Sequence, residues 1–335
     1  MVTMDDVARA AGVSTMTVSN VLNGHKKKVS DQTTRRVLHE VARLGYVPNS
    51  QARALSGGNS GIVAVAYTTG GEYPLSNPHD AQFVGTVEAA VNRSGRYLMI
   101  RSSADALETV AALRTWNVDG AIFLGIIGDE ARELMEMLDI PAVFVDNYAD
   151  DLPLDTVNID DYRGGYLAGE FLVQQGHKEI GFLGPHRAEV GVMRERWEGF
   201  RQALAEAGLA VRPEHLWEMD AHFDLGLELG LQLAAGTPPT AIFATADITA
   251  LGVMRGLEDG GLRVPEDVSL LGFDDLEAGR YASPQLSTIR QDVSAKANLA
   301  VQMLVEQMAD TDSDPARHAQ LPVELVVRES VRRID

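Results

Sequence analysis

Apolar residues recur along most of the chain with two different spacings. From residue 62 onward, short runs that are apolar throughout alternate with longer stretches in which apolar residues recur every three or four positions. Runs of the first kind predict strands, and stretches of the second kind predict helices. Strands this short, apolar on both faces and separated by helices, indicate parallel sheets covered on each side. About 275 residues of this pattern predict two doubly wound α/β units.

The predicted elements of this region follow one another closely. Strands are predicted at Ile62–Tyr67, Tyr97–Ser102, Gly120–Gly125, Ala142–Asp146, Thr156–Ile159, Ile180–Gly184, Ala241–Thr245, Ser269–Phe273 and Ser287–Ile289. Helices are predicted near 82–94, 104–116, 129–138, 162–176, 194–207, 224–235, 248–259 and 294–309.

The residues before position 62 predict a cluster of short helices instead. Three polar residues are predicted N-caps, each followed by an amphipathic stretch, and glycines are predicted to end the helices. The caps are Thr3, Ser14 and Ser30, and the ends are Gly12, Gly24 and Gly45. Asn49 is a further cap for a short segment from 50 to 56, and 57–61 is the most linker-like stretch of the chain.

The strongest local signal lies between residues 3 and 24. Two short helices joined by a tight turn predict a helix-turn-helix, whose second helix enters the major groove of DNA. At about 100° per residue, Val18, Val21 and Leu22 share one apolar face of that helix. This face is predicted to pack on the domain and to leave the opposite face for DNA. The alternative is a helical hairpin with a polar outer face.

Three residues of the outer face are predicted to read bases. Met16 and Asn20 point away from the apolar face, and Thr15 lies at the N-terminal edge of the helix. Asparagine bonds bidentately to adenine, while methionine and the threonine methyl contact the thymine methyl. Short polar side chains and N-terminal amides suit phosphates. The predicted backbone contacts are Ser14, Thr17, Ser19, Asn23 and, in the basic run that follows, Lys27.

Charge divides the chain at the same place. The net charge is −19, but residues 1–58 hold eight basic and four acidic side chains and carry +4, which leaves −23 on the remainder. A small basic head on an acidic body lets the head approach phosphates while the body repels them. The alternative is an N-terminal segment that is basic by chance.

Composition excludes several classes of protein. With 45% hydrophobic and 23% charged residues, the chain is typical of a globular protein with two or more domains. Nothing approaches the roughly 18 uninterrupted apolar residues of a membrane span, and the N-terminus lacks a signal-peptide pattern, so we expect a cytoplasmic protein. The absence of cysteine excludes disulfides, thiol catalysis and cysteine-based metal sites.

The body has no sequence motif of a known catalytic class. It has no Gly-x-Gly-x-x-Gly after a first strand, no phosphate-binding Gly-Lys-Ser/Thr, no Gly-x-Ser-x-Gly and no His-Glu-x-x-His. The acidic run 146–151 lacks the glycine and terminal glutamate of a calcium loop and is interpreted as a solvated turn. We therefore expect neither an enzyme nor a bound metal or cofactor.

Polar side chains follow several predicted strands at their carboxyl ends, where open α/β sheets bind ligands. Thr68 and Asp146 follow strands of the first unit, and Asp247 and Asp274 follow strands of the second. Arg196 lies on a helix of the second unit. An arginine and carboxylates in one cleft supply charge-assisted hydrogen bonds to sugar hydroxyls. For each residue alone, a surface ion pair is the alternative.

Several longer motifs match one known family together. In the head they are Asp-Val-Ala-x-x-Ala-Gly-Val-Ser-x-x-Thr-Val-Ser-x-Val-Leu-Asn-Gly at 6–24, Gly-Tyr-Val-Pro-Asn at 45–49 and Ala-Arg-Ala-Leu at 52–55. In the body they are the segments 141–146, 176–181 and 268–275. From end to end, the chain resembles the LacI/GalR family of transcriptional regulators. This resemblance implies a small all-α helix-turn-helix head and a periplasmic-binding-protein-like α/β body of two doubly wound parallel-sheet lobes.

The resemblance also implies roles for individual residues. Residues 49–56 correspond to the family's hinge helix, which is too short to be stable alone and is expected to order on DNA beside its dimer mate. There Leu55 is implied to wedge into the minor groove, with Ala52 allowing close approach. Without the family, Leu55 is more simply a contact between linker and body. The predicted effector-binding residues are Thr68, Asp146, Arg196, Asp247, Asp274 and Gln291.

Three features depart from the family pattern. Ala246 stands where the family has an asparagine before Asp247, so an amide that contacts effector is missing. Ala221 stands where some members have an aromatic platform, with His222 and Phe223 adjacent as substitutes. The loop from 24 to 30 is slightly longer than the common form, which alters backbone contacts beside the recognition helix.

Together these features predict a homodimeric DNA-binding repressor that binds a near-palindromic operator and is controlled by a small-molecule effector, a sugar. The predicted limits are 1–48 for the head, 49–61 for the hinge helix and linker, 62–160 with 292–320 for lobe one, and 161–291 with 321–335 for lobe two. The alternatives are a solute-binding protein and a sugar-modifying enzyme that uses paired carboxylates. The sequence leaves open the effector's identity, the operator and the direction of the effector's action.

Overall fold

The structure, a computed structural model, describes residues 2–22, 29–46, 59–67, 75–103, 105–126, 128–148, 152–185, 191–309 and 316–334. The chain forms two compact units, Met1–Gly61 and Ile62–Asp335. Some predicted site residues lie outside the described residues: Asn23, Lys27, Ala52, Leu55 and Thr68.

The described part of the N-terminal unit contains the helices α1 (Met4–Ala11), α2 (Thr15–Leu22) and α3 (Asp31–Leu44). Thr3 caps α1 reciprocally, because its hydroxyl oxygen accepts the N–H of Asp6 at 3.3 Å and the Asp6 carboxylate accepts the N–H of Thr3 at 3.0 Å. One fully buried valine from each helix lies at the centre of the core. The three predicted helices of the head are confirmed.

The larger unit alternates strands and helices, as predicted. Its strands are β1 (Ile62–Tyr67), β2 (Tyr97–Ser102), β3 (Gly120–Leu124), β4 (Ala142–Val145), β5 (Asp155–Ile159), β6 (Ile180–Leu183), β7 (Leu216–Trp217), β8 (Ala241–Ala244), β9 (Ser269–Asp274), β10 (Ser287–Gln291), β11 (His318–Leu321) and β12 (Val323–Val326). Its helices are α4 (Pro78–Arg93), α5 (Ala106–Thr115), α6 (Gly128–Met137), α7 (Asp161–Gln174), α8 (Val192–Glu206), α9 (Phe223–Ala234), α10 (Asp247–Asp259), α11 (Glu277–Tyr281) and α12 (Val293–Ala309).

The strands form two six-stranded sheets. The first has the order β11-β5-β4-β3-β1-β2 and is parallel throughout. The second has the order β12-β10-β9-β8-β6-β7, and its edge strand β12 runs antiparallel to β10. We call the first sheet with the helices packed on it lobe one, and the second lobe two. The prediction of two parallel-sheet lobes is confirmed, and the antiparallel pairing is confined to this edge of lobe two.

Four elements were missing from the predicted set: β7, β11, β12 and α11. The strand β7 has only two residues, and α11 has only five. In β11, partly buried residues alternate with exposed ones, and β12 has one exposed and three partly buried residues, because each strand lies at the edge of its sheet. Such strands lack the continuous apolar run that marks a strand buried on both faces.

Helices cover both faces of each sheet, so the central strands are buried throughout. Separate clusters of apolar side chains lie on the two faces of each sheet. This arrangement explains why these strands read as unbroken apolar runs. None of the described helices has the length and apolar character that a membrane crossing needs.

The chain passes between the two sheets after β5, again from β10 into α12, and once more through Pro322 between β11 and β12. Although α12 follows the last parallel strand of lobe two, it packs on β3, β4 and β5 of lobe one. Ala297, Ala300 and Leu304 of this helix are fully buried in the core of lobe one. Residues late in the chain therefore complete the lobe that the chain begins first.

Two helices of lobe two, α7 and α8, contact each other through glycines. A Cβ atom at Gly165 would lie 1.9 Å from the carbonyl oxygen of Arg196, and one at Gly199 would lie 1.9 Å from the carbonyl oxygen of Tyr162. No side chain fits in either contact, since packed interiors leave no such space. The contact fixes the backbone of α8 at a predicted effector-binding residue.

Gly165→Ala is expected to destabilise lobe two by about 1–3 kcal/mol, the usual effect of forcing an extra methyl group into a packed interior. Gly85→Ala on α4 is the matched control, because a Cβ atom there meets nothing within 4 Å. Alanine favours a helix over glycine by about 1 kcal/mol, so the control is expected to gain stability. Urea titration measures both variants, and equal midpoints would contradict the close contact.

Candidate functional site

The second helix of the head, α2, has the predicted two-sided character. Val18 is fully buried, and the other two residues of the predicted apolar face pack partly buried against the same core. Met16 is 71% exposed, with Thr15 also exposed and Asn20 half-buried. The apolar face predicted from the helix angles is therefore confirmed. Base reading by the other three residues stays a prediction.

The N-terminal end of α2 carries the hydroxyls predicted to contact phosphates. Ser14 accepts the backbone N–H of Thr17 at 3.2 Å, and the two hydroxyl oxygens lie 3.0 Å apart. Ser14 is thus the predicted cap of this helix, and both hydroxyls lie at the positive end of its dipole. Contacts of these residues and of Ser19 with DNA stay a prediction.

The two lobes of the larger unit form a cavity of about 210 Å³. It is lined by Asp146, which follows β4 of lobe one, and by Asp274, which ends β9 of lobe two. Arg196 and Gln291, also predicted, line it too. The carboxyl ends of both sheets therefore meet at one cavity. Lining residues that the sequence did not indicate include Tyr67, His79, Asp80 and Thr245.

Arg196 is held in place on three sides. Its Nε donates to Oδ1 of Asp161 at 2.7 Å, and its Nη1 donates to the carbonyl oxygen of Thr245 at 2.7 Å. Its Cζ lies 3.5 Å from the ring centre of Phe273. Burial acts to lower the pKa of Arg196, but the carboxylates of Asp161 and Asp274 raise it above its ordinary value. The guanidinium is fixed and charged, and its Nη2 has no protein partner within the described ranges.

Asp161, which the sequence analysis missed, is the hydrogen-bonded partner of Arg196. Its side chain is fully buried at the start of α7, and the hydroxyl of Tyr148 donates to its other oxygen. Burial raises the pKa of Asp161, and Arg196 opposes that rise. No local pattern marks this pair, since the two residues are 35 positions apart.

Asp146 is paired with a buried lysine that the sequence analysis also missed. Nζ of Lys296 on α12 donates to both oxygens of Asp146 at 2.9 Å and to Oε1 of Gln291 at 3.0 Å. Nε2 of Gln291 donates to Oδ1 of Asp274 at 2.6 Å. The interpretation of the run from 146 as a solvated turn is wrong for its described start, because Asp146 and Asn147 are buried.

His79 brings a polar group without a partner to the same cavity. Its Nδ1 lies 2.9 Å from Oδ1 of Asp80, while its Nε2 is buried without a hydrogen-bond partner among the described residues. Buried polar atoms are nearly always hydrogen-bonded in proteins. His79 is therefore a further candidate for contact with a ligand in the cavity.

The cavity aspartates lie on strained backbone. Asp146 has φ of 60° and Asp274 has φ of 122°, and the next residue, Asp275, has φ of 59°. Residues other than glycine rarely adopt positive φ, and such strain clusters at functional sites. Asp275 is held by hydrogen bonds from Arg280 and Arg290, which anchor the turn after β9.

Asp247, a predicted effector ligand, is not among the residues that line the cavity, and its contact with an effector stays a prediction. It is fully buried, and it accepts the hydroxyl of Thr288 at 2.6 Å and the N–H of Leu276 at 2.8 Å. Through these two hydrogen bonds, Asp247 connects β10 with the turn that follows Asp274. Asp247 therefore supports the turn that forms part of the cavity wall and does not itself line the cavity.

Asp247→Asn is expected to gain stability relative to the wild type as the pH rises. Burial and the nearby Asp274 raise the pKa of Asp247 well above its ordinary value of 3.8. The folded state then binds this proton more tightly than the unfolded state, so the wild type loses stability as the pH rises above about 4. Urea midpoints from pH 4 to 8 test this, with Glu258→Gln on the same helix as the exposed control. A constant difference from wild type across that range would contradict the raised pKa.

One predicted departure from the family pattern concerns the wall of the cavity. Ala221 lines the cavity, and His222 and Phe223 are not among its lining residues. Substitution of an aromatic platform by either residue stays a prediction. Within the described residues, no group of three or more histidine and acidic side chains is placed to hold a metal ion.

Known proteins match both units. Residues 3–49 match the family of bacterial regulatory proteins, lacI family, and residues 170–331 match the periplasmic binding protein-like domain. The chain is 34% identical over 345 residues to the HTH-type transcriptional repressor PurR of Mannheimia succiniciproducens, with 100% of both chains covered.

Two solved structures are similar along almost the whole chain. The Lac repressor dimer bound to operator and the anti-inducer ONPF has a TM-score of 0.86 at 29% identity, covering 99% of each chain. The complex of the transcriptional regulator CelR with cellobiose has a TM-score of 0.72 at 28% identity, covering 98% of this chain and 100% of that one.

A helix-turn-helix head followed by a two-lobed body with a polar cavity defines a DNA-binding regulator with an effector domain. The chain belongs to the LacI family of bacterial regulatory proteins, as its motifs predicted. Its relatives are transcriptional repressors, and it has their DNA-binding and effector-binding domains.

Proposed function

We propose that the protein is a homodimeric transcriptional repressor whose affinity for its operator is controlled by a sugar bound between the lobes. The observation that carries this proposal is that Arg196, Asp146 and Asp274 line one cavity. A fixed donor facing two acceptors suits several neighbouring hydroxyl groups, and charge-assisted bonds of this kind are the strong ones. The bound cellobiose of CelR supports a sugar.

The cavity is placed to control the arrangement of the lobes. Because both lobes line it, a ligand binds their open and closed arrangements unequally, and only such a difference shifts an equilibrium. The three crossings of the chain are the positions about which the lobes rotate. The limits we propose are 62–160 with 292–320 for lobe one, and the remaining residues of 161–335 for lobe two.

The head is proposed to read a near-palindromic operator in the cytoplasm. Thr15, Met16 and Asn20 are the base-reading residues, and Lys27 contacts the backbone. The segment 49–61 acts as the hinge, with Ala52 and Leu55 in the minor groove. The operator-bound dimer of the Lac repressor supports two-fold binding. We propose no enzymatic activity, in keeping with relatives that are repressors.

A melting-temperature screen of the full chain tests the sugar assignment. D-ribose, D-galactose, D-glucose and cellobiose are the probes, with hypoxanthine as the contrast. A ligand at about 100 times its Kd stabilises the folded state by about 2.7 kcal/mol, which a melting curve resolves. We expect a sugar to raise the melting temperature and to change operator affinity in anisotropy titrations. A shift with hypoxanthine alone would overturn the sugar assignment.

A further inference from the structure

A buried row of four side chains joins the two lobes at the back of the cavity. It runs from Asp146 of lobe one through Lys296 and Gln291 to Asp274 of lobe two, with successive contacts of 2.9, 3.0 and 2.6 Å. Three of its members line the cavity, and Lys296 does not. The carboxylates of Asp146 and Asp274, on the two walls of the cavity, are therefore linked through Lys296 and Gln291.

Lys296 has no capacity left for a ligand. It is 1% exposed, and its ammonium has three acceptors within 3.0 Å, namely the two oxygens of Asp146 and Oε1 of Gln291. A lysine ammonium has three N–H donors, so all three are used. Lys296 acts through its neighbours as a positioning residue. It also fixes the amide of Gln291, whose oxygen faces Lys296 and whose nitrogen faces Asp274.

The ammonium of Lys296 fills the place that a cationic ligand would take at Asp146. A cation beside a buried carboxylate stabilises its charged form, and at Asp146 the chain supplies that cation itself. The two oxygens of Asp146 still have lone pairs for hydroxyl donors, because a carboxylate accepts about four hydrogen bonds. A neutral hydroxyl is accepted at this carboxylate, whereas an ammonium meets a like charge.

We propose that Lys296 selects the chemical class of the effector, so that the cavity takes a neutral polyhydroxylated molecule and rejects its amino counterpart. This rests on the proposed function only in that the effector occupies this cavity. Removing the lysine leaves Asp146 without a cation. The cavity is then expected to prefer a ligand that brings an ammonium group.

Chemical rescue tests the cation position without any effector. In full-length Lys296→Ala, ethylammonium is expected to occupy the vacated space and to raise the melting temperature saturably, and ethanol at equal concentration is not. Asp146→Asn/Lys296→Ala is the matched control, since it has no carboxylate to pair with ethylammonium. If Lys296→Ala is unfolded, recovery of helical circular dichroism is the readout. No specific rescue, or equal rescue in the single and double variants, would overturn the proposal.

Calorimetry with paired sugars tests the selectivity itself. D-glucosamine against D-glucose, and D-galactosamine against D-galactose, are titrated into wild type and Lys296→Met. We expect the wild type to favour the neutral sugar of each pair. In the variant the ratio of affinities is expected to move toward the amino sugar by about tenfold or more, the effect of one hydrogen bond to a charged group. An unchanged ratio would overturn the proposal. If neither sugar binds wild type, the sugar assignment fails, and the ethylammonium result still decides the role of Lys296.

Discussion

Arg196→Met is expected to abolish effector binding and to destabilise lobe two together. Binding is lost because Nη2 of Arg196 is the donor that the fixed guanidinium leaves for the cavity. Stability falls because Asp161 stays fully buried after losing the cation 2.7 Å from it. Breaking a buried ion pair from one side costs about 3–5 kcal/mol. Urea denaturation and calorimetric titration of the sugar found in the melting screen measure the two effects.

A double variant separates these effects. Asp161→Asn/Arg196→Met also removes the buried carboxylate that Arg196 pairs with, so it is expected to regain most of the lost stability but none of the binding. Arg201→Met on the same helix is the control, because Arg201 is 55% exposed and pairs at the surface with Glu198. It is expected to leave both properties near wild type. Normal sugar binding by the double variant would show that Arg196 does not contact the ligand.

Asn20→Ala is expected to weaken binding to the preferred operator by about 1–3 kcal/mol and to relax one position in each half-site. The reason is the loss of an amide that pairs bidentately with adenine. Lys27→Ala is expected instead to weaken binding to all sequences alike and to reduce its salt dependence. Anisotropy titrations on operator and random duplexes, at several salt concentrations, distinguish the two patterns.

The control for the head is His39→Ala on α3, whose side chain is 73% exposed. It is expected to bind operator like the wild type. Equal losses on operator and random DNA for Asn20→Ala would remove that residue from the base-reading surface.

The order of strands and helices was predictable because burial dictates it. Strands such as β3 and β8 have helices on both faces, so every residue is apolar or small and the run is visible in the sequence. The edge strands β11 and β12 were missed because none of their residues is fully buried and some are exposed. The strand β12 is antiparallel because of the direction in which the chain enters lobe two after Pro322. No local sequence pattern predicts that direction.

The cavity was predictable only in part, because the sequence places strand ends but does not show which distant residues meet there. Parallel strands bring their carboxyl ends together, so the positions of Asp146 and Asp274 followed from the sheets. The partners of the charged groups did not, because Lys296 is 150 positions from Asp146. Asp247 lies outside the cavity lining, because a strand-end carboxylate is as well suited to support a turn as to meet a ligand.

The late return of the chain to lobe one sets an order for folding during synthesis. The parallel strands of lobe two are all made by residue 291, whereas lobe one, begun at residue 62, waits for α12 and for β11, which ends at residue 321. At about 5–20 residues per second, the strands of lobe one leave the ribosome roughly 10–30 s before their last helix and edge strand. During that time the apolar surface meant for Ala297, Ala300 and Leu304 faces water. We therefore expect the nascent chain to expose apolar surface to chaperones at lobe one rather than at lobe two.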